Sequence, residues 1–167
     1  GALALLADED ALNAEFAGYP DAFEKAMADA FFQRLGLKRR GEDDFALVVA
    51  LLQWMEETRV PFERIFFDWF GGETSLARVA TSPLSSVYAD AKFAPVRARV
   101  LATEPDCPER LNHAYFARAE PTTMLIDEVE AIWAAIAEKD DWSRLYAKLD
   151  DIAVMREAFG FDPSQYG

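Results

Sequence analysis

A chain of 167 residues, 51% hydrophobic and 13% aromatic, can bury one sizeable core, which excludes disorder as its overall state. Its 17 Lys and Arg stand against 30 Asp and Glu, a formal net charge of -13, so neither nucleic acid nor an anionic membrane surface is an expected partner. One cysteine, Cys107, excludes an internal disulfide and fits a reducing, cytoplasmic setting, and no apolar run approaches a membrane span.

The opening GALALLADEDALN lacks the basic region of a secretory signal. It also lacks an initiator Met, which points to a fragment of a longer polypeptide or to a processed terminus. Residues 2–17 place Leu3, Leu6, Leu12 and Phe16 as a helix would, and Gly18, Tyr19 and Pro20 end it. After Asp21 a second helix carries Phe23, Met27, Phe31 and Leu35 on one face and stops at Gly36. Lys38, Arg39 and Arg40 then form the only basic cluster, read as a solvated patch rather than a phosphate site. Glu42, Asp43 and Asp44 put acid in the first turn of a third helix, where the dipole favours it. Its body, Phe45 to Met55, is apolar around more than one face, which predicts the most buried helix of the fold. Arg59, Val60 and Pro61 break it, and Pro61 opens a fourth helix. Here Phe62, Ile65, Phe66, Trp69 and Phe70 form an aromatic band assigned to the core, with Gly71-Gly72 as the stop.

From Glu73 to Glu120 the pattern weakens. Ser82, Pro83 and Ser85 can start a helix through Tyr88 and Ala91 that Pro95 ends or kinks, and Val96 to Leu101 reads as a short helix. Thr103 to Glu120, with Pro105, Pro108, Cys107 and His113, reads as a long ordered loop with at most a turn or two of helix. The pattern then sharpens. After Pro121, with Thr122 or Thr123 as N-cap, Leu125, Ile126, Val129, Ile132, Trp133 and Ile136 mark one helical face. Glu138 to Asp141 make a polar connection, Asp140 or Asp141 caps the next helix, and Trp142, Leu145, Leu149 and Ile152 follow at helical spacing. This is an αα-hairpin, with Trp133 and Trp142 expected to be buried. The fold expected is an all-α, irregular bundle of about six to eight helices ending in that hairpin, one domain over residues 1–167.

Chemistry is sparse. His113 is the only histidine, so any Cys-His or Ser-His-Asp catalysis must use it, and Cys107 lies six residues away without a visible orienting group. A zinc site would need carboxylates for two of its four positions. Asp127 and Glu130 share one side of a helix, as a metal or acid-base pair could, but acids at a helix start already suit the dipole. No Glu-x-x-His pair, no EF-hand spacing and no glycine-rich phosphate loop occurs. No catalytic, cofactor-binding or metal residue is assigned, and no cofactor is expected in this chain.

Three stretches resemble the C-terminal region of the selenoprotein O family, kinase-like protein adenylyltransferases. They are Met27 to Leu37, MADAFFQRLGL; Asp43 to Phe70, DDFALVVALLQWMEETRVPFERIFFDWF; and Pro121, Leu125, Ala131, Ile132, Ala137, Glu138, Asp141, Trp142 and Leu145 of the hairpin. Where the family pattern has Arg-Asn-His after the hairpin leucine, this chain has Ile126, Asp127 and Glu128, so a basic contact there is lost or reversed. No counterpart of the family's redox Cys or selenocysteine follows Phe161.

The resemblance implies a full-length parent that uses ATP and Mg in a kinase-like site to move AMP onto Ser, Thr or Tyr of proteins. Its ATP-contacting Lys and metal-binding Asp and Asn lie upstream of the matched region, so none maps to a residue here. The chain is then expected to be a non-catalytic helical C-terminal domain whose partner is its own N-terminal catalytic domain, with protein substrates as further partners. The alternative is a free-standing helical interaction module without enzymatic activity, holding a partner through exposed aromatics such as Tyr115, Phe116 or Tyr166. A small hydrolase built on Cys107 and His113 is the third reading.

Overall fold

The computed structural model describes residues 9–41 and 43–161. Among them α1 (Glu9–Ala17), α2 (Tyr19–Leu35), α3 (Asp44–Thr58), α4 (Phe62–Trp69), α5 (Leu76–Thr81), α6 (Ser85–Ala89), α7 (Ala94–Leu101), α8 (Ile126–Lys139) and α9 (Ser143–Phe159) are α-helices. Short 3-10 turns join them at Gly72–Ser75, Ala91–Phe93, Pro108–Asn112 and Ala114–Ala117. There is no sheet among the described residues; one isolated antiparallel bridge pairs Leu37 with Pro105. The expected all-α bundle ending in a helical hairpin is what the chain forms.

Residue chemistry sets several boundaries. Gly36 ends α2 at φ 61°, its N–H donating to the Gln33 carbonyl while that of Leu37 reaches the Phe32 carbonyl. A Cβ there would meet the Phe70 ring at 2.7 Å, so glycine also permits close packing of α2 on α4. Arg59 ends α3 at φ 56° and Asp140 ends α8 at φ 50°, both without glycine's freedom. Pro95 does not end a helix as expected; it sits in the first turn of α7, where its missing N–H is harmless.

The core is organised around α4, where Arg64 to Trp69 are buried without a break. On one side Trp69 meets Tyr88 and Phe93, which also contact Trp54 of α3. On the other, Phe67 and Phe70 pack with Tyr115, Phe116 and Phe159. The aromatic band is therefore core, except Phe62, which is largely exposed. α3, expected to be the most buried helix, buries Leu47, Val48, Leu51, Trp54 and Met55 but leaves Val49 and Leu52 exposed, because among the described residues no element covers its outer side. Similarly, α2 buries Phe31 and Leu35 while Phe23 faces solvent. Tyr115 and Phe116, proposed from sequence as exposed contacts, are buried by the aromatic cluster; Tyr166 lies outside the described residues.

The hairpin forms but is not covered. α8 has no buried residue, and α9 buries only Ala158 and Phe159 at its end. Trp133 is 66% and Trp142 43% exposed, contrary to the expected burial, because the hairpin projects from the body. Its caps also differ from expectation. Thr122 and Thr123 spend their hydroxyls on Asp151 and Glu128, leaving Leu125 at the N-cap position. Asp141 accepts from the Ser143 N–H, but it stands one residue before the N-cap of α9, which is Trp142 and has no side-chain cap bond.

Candidate functional site

The most concentrated polar chemistry lies inside α4. Arg64 and Asp68 are one turn apart, so their side chains meet on one face. Arg64 Nε donates to Asp68 Oδ2 at 2.9 Å, and the hydroxyls of Ser82 and Tyr88 donate to the same oxygen. Asp68 is 0% exposed, and its Oδ1 has no protein partner. Arg64 also reaches outward, donating through Nη1 to the Ala119 carbonyl at 3.0 Å and to Glu120 at 2.7 Å. One ion pair thus joins α4, the Ser82 turn, α6 and the segment that leads into the hairpin.

Electrostatics follow burial. Desolvation pushes the Tyr88 phenol up, and the charge of Asp68 adds to it. Burial alone would lower the Arg64 guanidinium, but the bonds to and charges of Asp68 and Glu120 together outweigh it and the net direction is up. Arg78 has no such carboxylate. Its guanidinium lies over the rings of Phe67 and Phe116, at 5.3 and 4.9 Å, and donates to the carbonyls of Asp68, Phe70 and Phe116 at 3.3 to 3.5 Å. Burial brings it down to about 10. Since Asp68 and Phe70 stand at the C-terminal end of α4, Arg78 acts as a cation on that end of the dipole. An open cavity of about 370 Å³ is lined by Arg64, Arg78, Ser82, Arg118 and Glu120. The bonds these groups make within the chain tie α4 to the Ser82 turn and to the approach to the hairpin.

The residues singled out from sequence do not converge. Cys107 Sγ donates weakly to Asp106 at 3.7 Å, and burial with neighbouring carboxylates pushes its thiol up, away from a reactive thiolate. His113 Nδ1 accepts from the Tyr115 N–H at 3.1 Å, and its Nε2 lies 3.9 Å from Glu157. Each is engaged by its own neighbours. Asp127 and Glu130 gather no further ligand: among the described residues no three His, Cys, Asp or Glu side chains come together as a metal site would need. Arg39, from the basic cluster, pairs with Asp29 and with buried Asp44. Glu128 accepts from Lys148 at 2.6 Å, from the Leu125 N–H and from Thr123; these bonds, Lys148 first, bring it down to about 2.

Sequence reasoning missed the Arg64, Asp68, Ser82, Tyr88 network and Arg78. The available signal was a charged pair at i, i+4 inside an otherwise aromatic helix, FERIFFDWF.

A family model described as protein adenylyltransferase SelO matches residues 1–153. The chain belongs to the SelO family. Among curated proteins it is similar to a protein nucleotidyltransferase, YdiU, of Myxococcus xanthus (strain DK1622), 31% identical over 158 residues. That alignment takes in 90% of this chain and 32% of the relative, so the chain spans about a third of the length of the curated relative it matches. No solved structure gives a significant match. Among the described residues no helix is long and apolar enough to cross a membrane.

Proposed function

We propose that this chain is the non-catalytic helical C-terminal domain of a protein adenylyltransferase. In the full-length polypeptide AMP passes from ATP to a Ser, Thr or Tyr hydroxyl of a protein: the hydroxyl oxygen bonds to the α-phosphorus and pyrophosphate leaves. The observation that carries the reading is the SelO match over residues 1–153 combined with coverage of only 32% of the relative's length. ATP and Mg belong, in this reading, to the preceding catalytic region. That region is the domain's partner, the modified proteins are further partners, and the setting is the cytoplasm. The part of the chain described above contributes a rigid aromatic core and the Arg64 to Glu120 link that fixes the base of the hairpin.

The test has two arms. Titration calorimetry of the 167-residue chain with Mg-ATP is expected to give no binding heat, and the full-length polypeptide is expected to incorporate labelled AMP into protein. Nucleotide binding by the short chain, or a coding sequence that opens at Gly1, overturns the reading. The second outcome would favour a free-standing interaction module, for which the uncovered hairpin is the supporting observation.

A further inference from the structure

The exposed side of the hairpin is not a scatter of apolar residues. At about 100° per residue, Ile126, Val129 and Trp133 fall on one stripe of α8, a quarter-turn from the side that meets α9. Trp142, the N-cap residue, continues the stripe that Tyr146 and Leu149 form on α9, a quarter-turn from its own inward side. Because the helices run antiparallel, the two displacements bring both stripes to the same face of the pair. All six residues are exposed, from 41% at Val129 to 68% at Ile126. The residues between the helices, Ile132, Ile136, Leu145 and Ile152, are half-buried, so the hairpin's own packing consumes a different set of side chains. A contiguous apolar face of this kind marks an interaction site.

Charge selects the occupant. Residues 126–159 hold nine acids and four bases, and the chain carries -13. An anionic bilayer, nucleic acid and a second equally acidic copy are all repelled. A neutral or basic protein surface is not. The relative it matches has about two-thirds of its length outside the alignment, and a tethered surface meets the hairpin at high effective concentration. We propose that the face built by Ile126, Val129, Trp133, Trp142, Tyr146 and Leu149 docks on the catalytic region of the same polypeptide. This rests on the proposed function, whose partner it supplies with a surface.

Two short links aim the face. Arg118 and Thr122 both bond Asp151, and the Thr122 N–H donates to the buried Tyr115 hydroxyl at 3.0 Å. Lys148 ties Glu128 to the Thr123 carbonyl.

Hydroxyl-radical footprinting read by mass spectrometry, on the 167-residue chain and on the full-length polypeptide, tests the proposal. Trp133 and Trp142 are expected to label freely in the short chain and about tenfold more slowly in the long one, as an interface core requires. Trp133→Ser should leave the thermal midpoint of the short chain unchanged and, in the full-length polypeptide, restore labelling of Trp142. Equal labelling in both forms overturns the docking. So does protection of the short chain that grows with its own concentration, the sign of a second copy, or that appears on phosphatidylserine vesicles. Equal labelling with AMP transfer intact sinks the docking alone, whereas protection without AMP transfer sinks the adenylyltransferase reading alone.

Discussion

Asp68→Ala is the sharpest test of what holds the core together. The carboxylate is fully buried and receives Arg64, Ser82 and Tyr88 on one oxygen. Removing it leaves the Tyr88 hydroxyl, itself inside the Trp54, Trp69 and Phe93 cluster, without an acceptor, and leaves Arg64 with only the Ala119 carbonyl, Ser82 and the exposed Glu120. Breaking a buried pair by losing one partner costs about 3–5 kcal/mol when the remaining charge is uncompensated, and the exposed Glu120 on Arg64 puts the loss toward the lower end. Asp68→Asn should cost less, about 2 kcal/mol, since one oxygen can still accept while the new amide N–H₂ takes the unpartnered Oδ1 position. Combining Asp68→Ala with Arg64→Met should recover part of the loss, because no charge is then stranded. Urea unfolding of each variant, with slopes held to the wild-type value, gives the numbers. A loss below about 1 kcal/mol for Asp68→Ala, or strict additivity in the double variant, would refute the claim that this pair is coupled and buried.

Gly36→Ala should destabilise by more than about 1 kcal/mol, since φ 61° and a 2.7 Å approach to the buried Phe70 ring leave no room to adjust; a thermal midpoint equal to wild type would contradict the packing described. Arg78→Met should loosen the C-terminal end of α4, seen as faster amide exchange at Trp69 to Gly71, because three carbonyls lose their donor. Glu128 is held down to about 2 from an ordinary 4.5, so its contribution is present above the unfolded value and is lost as pH falls through the folded one. Helix α8 should therefore lose amide protection between about pH 4.5 and 2, and Glu128→Gln should abolish that dependence while leaving the core unmoved. Cys107→Ser should change neither stability nor any transfer activity of the full-length polypeptide, since the thiol is pushed up and engaged only with Asp106.

Much of the architecture was legible in residue spacing. The four-residue recurrence ending at Gly36, the aromatic band after Pro61 and the two apolar rows of the hairpin each became helices close to where the pattern put them. What spacing could not say is which apolar face finds a neighbour. Periodicity marks Trp133 and Trp142 as one-sided, but among the described residues none covers them. α5 escaped notice because six residues beginning at Leu76 are too short for a helical repeat to show and follow a 3-10 turn. The Arg64 and Asp68 pair was visible as an i, i+4 match, yet its depth depends on Ser82 and Tyr88, brought up by turns with weak local signals.

The structure separates two kinds of order that sequence patterning blends. From α2 to Phe116, the aromatic side chains settle each helix by mutual burial, with the Arg64 and Asp68 pair held among them. The hairpin has the same helix grammar but is held from its base, by Arg64 to Glu120, by Arg118 and Thr122 to Asp151, and by the Tyr115 hydroxyl beneath Thr122. Such anchoring fixes direction without covering the apolar side. Exposed tryptophans on a flexible arm would cluster on themselves, whereas on an arm whose root is bonded to a buried tyrosine they keep a set orientation toward whatever docks. On this argument, loosening the root should harm docking without touching the docking face. Thr122→Val, which removes one Asp151 bond but leaves all six apolar side chains in place, is therefore expected to weaken protection of Trp133 in the full-length polypeptide, and unchanged protection would show that the face finds its partner without being aimed.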